Sequence, residues 1–287
     1  MNNENFSSTP VSWQALSLPQ QTEVLARPAI SNSALLSTQV DDILTQVKAH
    51  GDEALFALTK QFDGTTLTRL AVTPEQVVLA KKALTAKRMA AIQTAYDQIK
   101  CFHEAQVPQD ITVETRPGVT CTLKTEAIES VGLYIPAGSA PLPSTVLMLG
   151  VPAQIAQCKR VVLVCPPNKN GELANEILAA ASLCNITEIY TVGGAQAIAA
   201  LAYGTQSIPA VNKVFGPGNR YVTEAKKQLS QQVPGFAIDM PAGPSEVLVI
   251  GDKNANAQFI AADLLSQAEH GTDSQVILLS DSQQLLD

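Results

Sequence analysis

The chain has 287 residues, enough for two compact domains, since a single hydrophobic core stops growing at roughly 250–300 residues. Hydrophobic residues make up 46% and charged residues 16%, a balance that excludes wholesale disorder. A formal net charge of -7 at pH 7 argues against an electrostatic hold on nucleic acid or on an anionic membrane, both of which need clustered Lys and Arg, and leaves a small-molecule ligand as the better fit.

The opening MNNENFSSTPVS is polar, with neither the basic start nor the apolar run of a secretory signal, so a cytoplasmic location is expected. Residues 1–26 read as an N-terminal extension. Two helical blocks follow. The first, SALLSTQVDDILTQVKAHGDEALFALTKQFDG, breaks near Gly51 and Gly64. In the second, TPEQVVLAKKALTAKRMAAIQTAYDQIKCFHEAQ, Thr73 is placed to cap, Pro74 suits a first turn that needs no N–H, and Glu75 favours the positive end. Val77, Val78, Leu84, Ala91 and Ile92 are expected to form its buried side. His50 and His103 fall in these blocks without ligating neighbours and receive no role.

From about residue 110 the period changes. ITVETRPGVTCTLKTEAIESVGLYIP alternates as paired strands do, with a turn at Pro117 and Gly118. Beyond Ser144, strand-like RVVLVCPP, EIYTVGG, NKVFGPG, EVLVIGD and SQVILLSD alternate with helix-like GELANEILAAASLC, AQAIAALAYG, NRYVTEAKKQL and NAQFIAADLLSQAEH. Such alternation predicts an α/β fold of incomplete Rossmann-like parallel-sheet domains behind an N-terminal helical block. The longest apolar stretch, VLMLGVPAQIA, is too short and interrupted to cross a bilayer, so no membrane segment is expected. Changes of pattern near residue 108 and at the MPAGPS turn of residues 240–245 are the candidate boundaries. Five widely spaced cysteines without a CxxC pair read as reduced thiols, with Cys158 and Cys165 in packing roles.

Several segments carry candidate chemistry. In DLLSQAEHG, Gln267 and His270 lie three residues apart on one helix face and are able to reach one ion; Asp263 shares that side and Glu269 does not. From spacing alone, a histidine in a last helical turn is more simply a dipole partner worth about 0.3–1 kcal/mol. The glycines of VGGAQAIA and FGPGN follow strands and precede helices, where backbone N–H groups either face an anion such as a pyrophosphate or merely form turns and caps, with Asn219 as an N-cap. Neither is GxGxxG, and Tyr221 and Val222 stand where a third small residue belongs. Tyr134, beside a Pro and Gly turn, suits either a flat ligand or a sheet edge. Ser245 suits either a substrate or its own turn.

Taken together, VGLYIPAGSAPLPSTVLMLGVPA, VGGAQAIAALAYGT, FGPGN, DMPAGPSEVLVI and DLLSQAEHG resemble the histidinol dehydrogenase family, from roughly Trp13 to the end of the chain. The resemblance implies an enzyme that uses NAD and zinc (Zn2+) to oxidise L-histidinol through L-histidinaldehyde to L-histidine, the last steps of histidine biosynthesis, as a homodimer. It implies NAD contacts at Tyr134, Gln196 and Asn219, zinc ligation by Gln267 and His270, and substrate contacts at Ser245, Gln267 and His270. It also implies that residues 27–108 plus 245–287 form a first, discontinuous α/β domain, into which residues 109–244 insert a Rossmann-like NAD-contacting domain. The family's Glu-His base and its two further zinc ligands are expected beyond residue 287, so no catalytic residue is assigned and activity of this chain alone is not expected. Two alternatives remain: an aldehyde dehydrogenase-like enzyme with Cys121 or Cys158 as nucleophile, and a folded, non-catalytic fragment.

Overall fold

A short 3-10 helix (Trp13–Ala15) and α1 (Leu18–Val24) open the computed structural model, which describes residues 10–26, 33–136, 140–241, 245–269 and 274–286. The chain divides into two compact units, residues 35–242 and residues 1–34 with 243–287.

In the larger unit, α2 (Ser33–His50) and α3 (Asp52–Asp63) are separated at Gly51 and stopped at Gly64, as the breaks in the sequence predict. The second helical block is two helices. Thr73 caps α4 (Pro74–Ala83) by accepting from the Gln76 N–H, and Thr85 caps α5 (Ala86–Glu104) by accepting from Arg88. That second cap resets the helical phase, so the single buried side expected of the block does not persist. Val78 and Ala91 are exposed, whereas Ile92 is buried. β1 (Ile111–Arg116) and β2 (Val119–Leu123) then form an antiparallel hairpin around Pro117 and Gly118, exposed along both strands.

Five parallel strands follow: β3 (Ser130–Tyr134), β4 (Arg160–Cys165), β5 (Glu188–Thr191), β6 (Lys213–Phe215) and β7 (Ala237–Ile238). They are joined by α6 (Pro143–Ile155), α7 (Asn175–Leu183), α8 (Gly194–Tyr203) and α9 (Arg220–Gln232). The sheet order β5-β4-β3-β6-β7 grows outward from β3 in one direction, then returns and grows from β3 in the other. This is the order 3-2-1-4-5 of a doubly wound Rossmann sheet without its sixth strand, with the switch point between β3 and β6. The free edge of β5 is covered by residues 70–72, where the Val72 N–H donates to the Ile189 carbonyl at 2.8 Å and the Thr191 N–H to Leu70 at 2.8 Å.

Alternate residues of each strand serve opposite faces, which is why these strands read as continuous apolar runs. Val162 and Val164 of β4 share one buried cluster with Val40, Leu44 and Leu55 of α2 and α3 and with Ile198 and Leu229 of α8 and α9. Leu163 and Cys165 share the other with Ala80 and Ile92 of α4 and α5 and with residues of α6 and α7. The helices of residues 35–108 thus bury their apolar sides on the five-stranded sheet.

The smaller unit is a βαβ element: β8 (Glu246–Gly251), α10 (Ala257–Ala268) and β9 (Gln275–Ser280), its strands parallel, followed by α11 (Gln283–Leu286). The Gln275 amide donates to the carbonyls of Val24 (3.2 Å) and Ala26 (3.4 Å), tying the N-terminal extension to β9. The fold class is therefore α/β with parallel sheets, as the alternation of elements predicts. Among the described residues, no helix is long and apolar enough to cross a membrane.

Candidate cofactor site at the end of the five-stranded sheet

Because the five strands run the same way, their C-terminal ends share one edge, and the crevice at a topological switch point on that edge is where doubly wound folds take ligands. Tyr134 is the last residue of β3 and only 3% exposed, on the central strand rather than at a sheet edge. Burial pushes its hydroxyl well above the ordinary phenol range. The hydroxyl accepts from the Gly194 N–H at 3.2 Å. Gly194 opens α8 at φ +67, and a Cβ there would lie 2.6 Å from the Gln196 side-chain oxygen, so glycine lets the helix start close on its own first turn. Gln196 is 1% exposed. Asn219 is exposed and caps α9, its Oδ1 accepting from Tyr221 (3.0 Å) and Val222 (3.1 Å).

The structure thus brings Tyr134, Gln196 and Asn219 to one sheet edge but gives them different surroundings. Tyr134 and Gln196 are buried, with Tyr134 holding the first N–H of α8, while Asn219 is exposed and uses its Oδ1 as the cap of α9. Of the two readings open for the glycine turns, capping accounts for the contacts seen. Gly194 N–H goes to Tyr134, those of Tyr221 and Val222 go to Asn219, and the Gly216 N–H goes to the Asp239 carboxylate at 2.8 Å.

Lys226 and Asp239 escape sequence reasoning. Lys226 is 3% exposed, and its ammonium donates to the Gly216 carbonyl at 2.6 Å and to Asp239 Oδ1 at 2.6 Å. A signal is nonetheless present, because Val222, Ala225, Lys226 and Leu229 stand at i, i+3, i+4 and i+7, which places a lysine inside the apolar stripe of α9.

In the smaller unit, Ser245 directly precedes β8 and its carbonyl accepts from the Gln275 N–H at 3.0 Å. α10 runs back from the strand ends to the strand starts, so its last turn, with half-buried Gln267, returns to the end of this unit where β8 begins. The Gln267 amide donates to the Ser266 hydroxyl at 3.3 Å, leaving its oxygen available. Asp263 and Glu269 are exposed, and His270 lies outside the described residues. Among the described residues, no group of three or more His, Cys, Asp or Glu is placed to hold a metal. Gln267 offers one neutral amide oxygen, a single member of the four protein ligands, or three and a water, that a zinc site usually takes.

The cysteines are free thiols among the described residues. Burial pushes Cys158 up and Cys165 and Cys184 up to about 12, away from the thiolate that a nucleophile requires. Cys121 sits on the exposed hairpin.

Residues 25–287 match the family model for histidinol dehydrogenase. The chain belongs to the histidinol dehydrogenase family. It is 76% identical over 276 residues to the histidinol dehydrogenase of Colwellia psychrerythraea strain 34H, covering 96% of this chain and 64% of that relative. It is 58% identical over 272 residues to that of Vibrio vulnificus strain CMCP6, covering 95% and 62%. The crystal structure of histidinol dehydrogenase from Elizabethkingia anophelis superposes with a TM-score of 0.83 at 45% identity, covering 94% of this chain and 62% of that one. The chain therefore spans less than two thirds of the length of these family members.

Proposed function

We propose that the chain contributes the NAD-contacting part of a zinc-assisted histidinol dehydrogenase, one that oxidises L-histidinol through L-histidinaldehyde to L-histidine as the last steps of histidine biosynthesis. The observation that supports this reading is the sheet's Rossmann strand order, whose C-terminal edge carries Tyr134 at the end of β3, Gln196 in the first turn of α8 and Asn219 capping α9. NAD, when bound, supplies the hydride acceptor for both oxidations. The chain's own contribution is shape and polarity. Asn219 offers an amide donor at the mouth of the β3/β6 crevice, Tyr134 holds the start of α8, and Gln196 lies buried in its first turn. In the same proposal Ser245, Gln267 and His270 contact L-histidinol, and Gln267 and His270 are two members of a zinc ligand set. The base that takes the alcohol proton is assigned to no residue of this chain. A cytoplasmic homodimer completes the proposal.

The test is an NAD titration of the wild-type chain and of Asn219→Asp. Aspartate caps a helix as well as asparagine but removes the amide donor and adds a negative charge. The expected result is an unchanged melting temperature with affinity lower by about tenfold or more, the loss of one hydrogen bond to a charged group. Equal, measurable affinity in both proteins would place the cofactor elsewhere.

A further inference from the structure

Gly216 leaves the end of β6 at φ +125, a conformation that L side chains rarely adopt, and a Cβ there would lie 2.1 Å from the Tyr134 carbonyl oxygen. The backbones that leave the two switch-point strands are therefore in direct contact, with no side chain between them. From Gly216 the chain has only Pro217 and Gly218 before Asn219, so the setting of this one glycine decides where the Asn219 amide stands.

Both backbone groups of Gly216 are held by charged side chains that also hold each other. Asp239 accepts the Gly216 N–H at 2.8 Å through Oδ2 and the Lys226 ammonium at 2.6 Å through Oδ1, while Lys226 donates to the Gly216 carbonyl at 2.6 Å. Asp239 is itself anchored, following β7 directly and donating its N–H to the Val214 carbonyl at 3.1 Å. The lysine side chain is 4% exposed and the aspartate 25%.

A pair this enclosed is a poor device for stability alone. Removing a lysine and a carboxylate from water costs several kcal/mol per ion, and apolar residues of similar volume on the same helix stripe are often equally or more stabilising. What apolar residues cannot do is grip a peptide N–H and a peptide C=O at once. We propose that Lys226 and Asp239 are positioning residues: a charged clamp on Gly216 that presets the mouth of the β3/β6 crevice for the cofactor. This rests on the reading that NAD lies at that edge.

The experiment is an NAD titration, paired with thermal melting, of the 287-residue chain as wild type, Lys226→Met, Asp239→Asn, the double variant, Asn219→Asp and Arg160→Gln. The last is a control. Arg160 pairs with Glu188 at 2.8 Å at the opposite, N-terminal end of the same sheet, so losing it weakens the sheet without touching the crevice. Lys226→Met and Asp239→Asn are each expected to raise the NAD Kd about tenfold, the effect of one hydrogen bond to a charged group. The double variant should lose less than the product of the two, because the residues act as one unit. Arg160→Gln should lower melting with Kd unchanged. Should Lys226→Met fail to fold, Asp239→Asn carries the test, since it keeps both size and an acceptor for the Gly216 N–H. Wild-type Kd in the folded clamp variants, alongside a weakened Asn219→Asp, overturns the clamp and leaves the site standing. Wild-type Kd in Asn219→Asp, or no saturable binding by the wild type, overturns the site and the clamp together.

Discussion

Asp63 ends α3 with its Oδ2 buried and without a hydrogen-bond partner, and burial raises its carboxyl above the ordinary 3.8. Below the unfolded value both states carry the proton and no penalty applies. As pH rises through the raised folded value, ionising Asp63 weakens the fold, because the unfolded state gives up its proton more readily. Asp63→Asn should therefore raise the melting temperature at pH 7 by roughly 1–3 °C, a gain that melts at pH 3 should not show. The thiols give a second prediction. A thiol reagent at pH 8 should label Cys101 and Cys121 rapidly and leave Cys165 and Cys184 unlabelled until unfolding, as mass spectrometry of timed samples would show. Rapid labelling of the buried pair would contradict the core around β4 and α7. At this scale the sequence was informative where a residue acts locally: Thr73 and Asn219 cap the helices that their short polar side chains suit. For Lys226 the apolar stripe of α9 signals burial but not the partners, which lie 10 and 13 residues away and become neighbours only when β6 and β7 pair.

Between residues and domains, helices and strands were legible in proportion to their length and regularity. The strands β4, β5, β6, β8 and β9 coincide with the apolar runs that mark them, whereas β7 has only two residues and too little pattern to register. The break between α4 and α5 was hidden because Leu84 and Thr85 extend a helix-like composition across it, and only the Thr85 cap reveals the restart. Two predictions belong here. Gly216→Ala should destabilise the larger unit by about 3 kcal/mol or more in denaturant melts, from backbone strain plus the clash with Tyr134. An effect below about 1 kcal/mol would mean that β6 leaves the sheet by another path. The β1–β2 hairpin, exposed on both faces, should exchange its amide protons far sooner than β3 and β4, since an isolated two-stranded ribbon is marginal in water.

For the chain as a whole, alternation of strand and helix foretold parallel α/β layers but neither the strand order nor which helices cover which face. Order depends on contacts between residues far apart, such as Val131 with Lys213, and no local period encodes them. The same gap applies to the helices of residues 35–108: Val40 and Leu55 are apolar whichever sheet they cover. Family membership rests on residues 25–287, while the cofactor site rests on the order β5-β4-β3-β6-β7, which sets the switch point and with it the edge where NAD should lie. The most direct measurement is therefore amide chemical-shift mapping of the wild-type chain titrated with NAD. Saturable shifts should concentrate at residues 193–196 and 216–222, on the C-terminal edge of the five-stranded sheet. Shifts confined to residues 129–131, 159–161 and 187–188 on the opposite edge, or to the β8–α10–β9 unit, would contradict a cofactor site at the β3/β6 crevice.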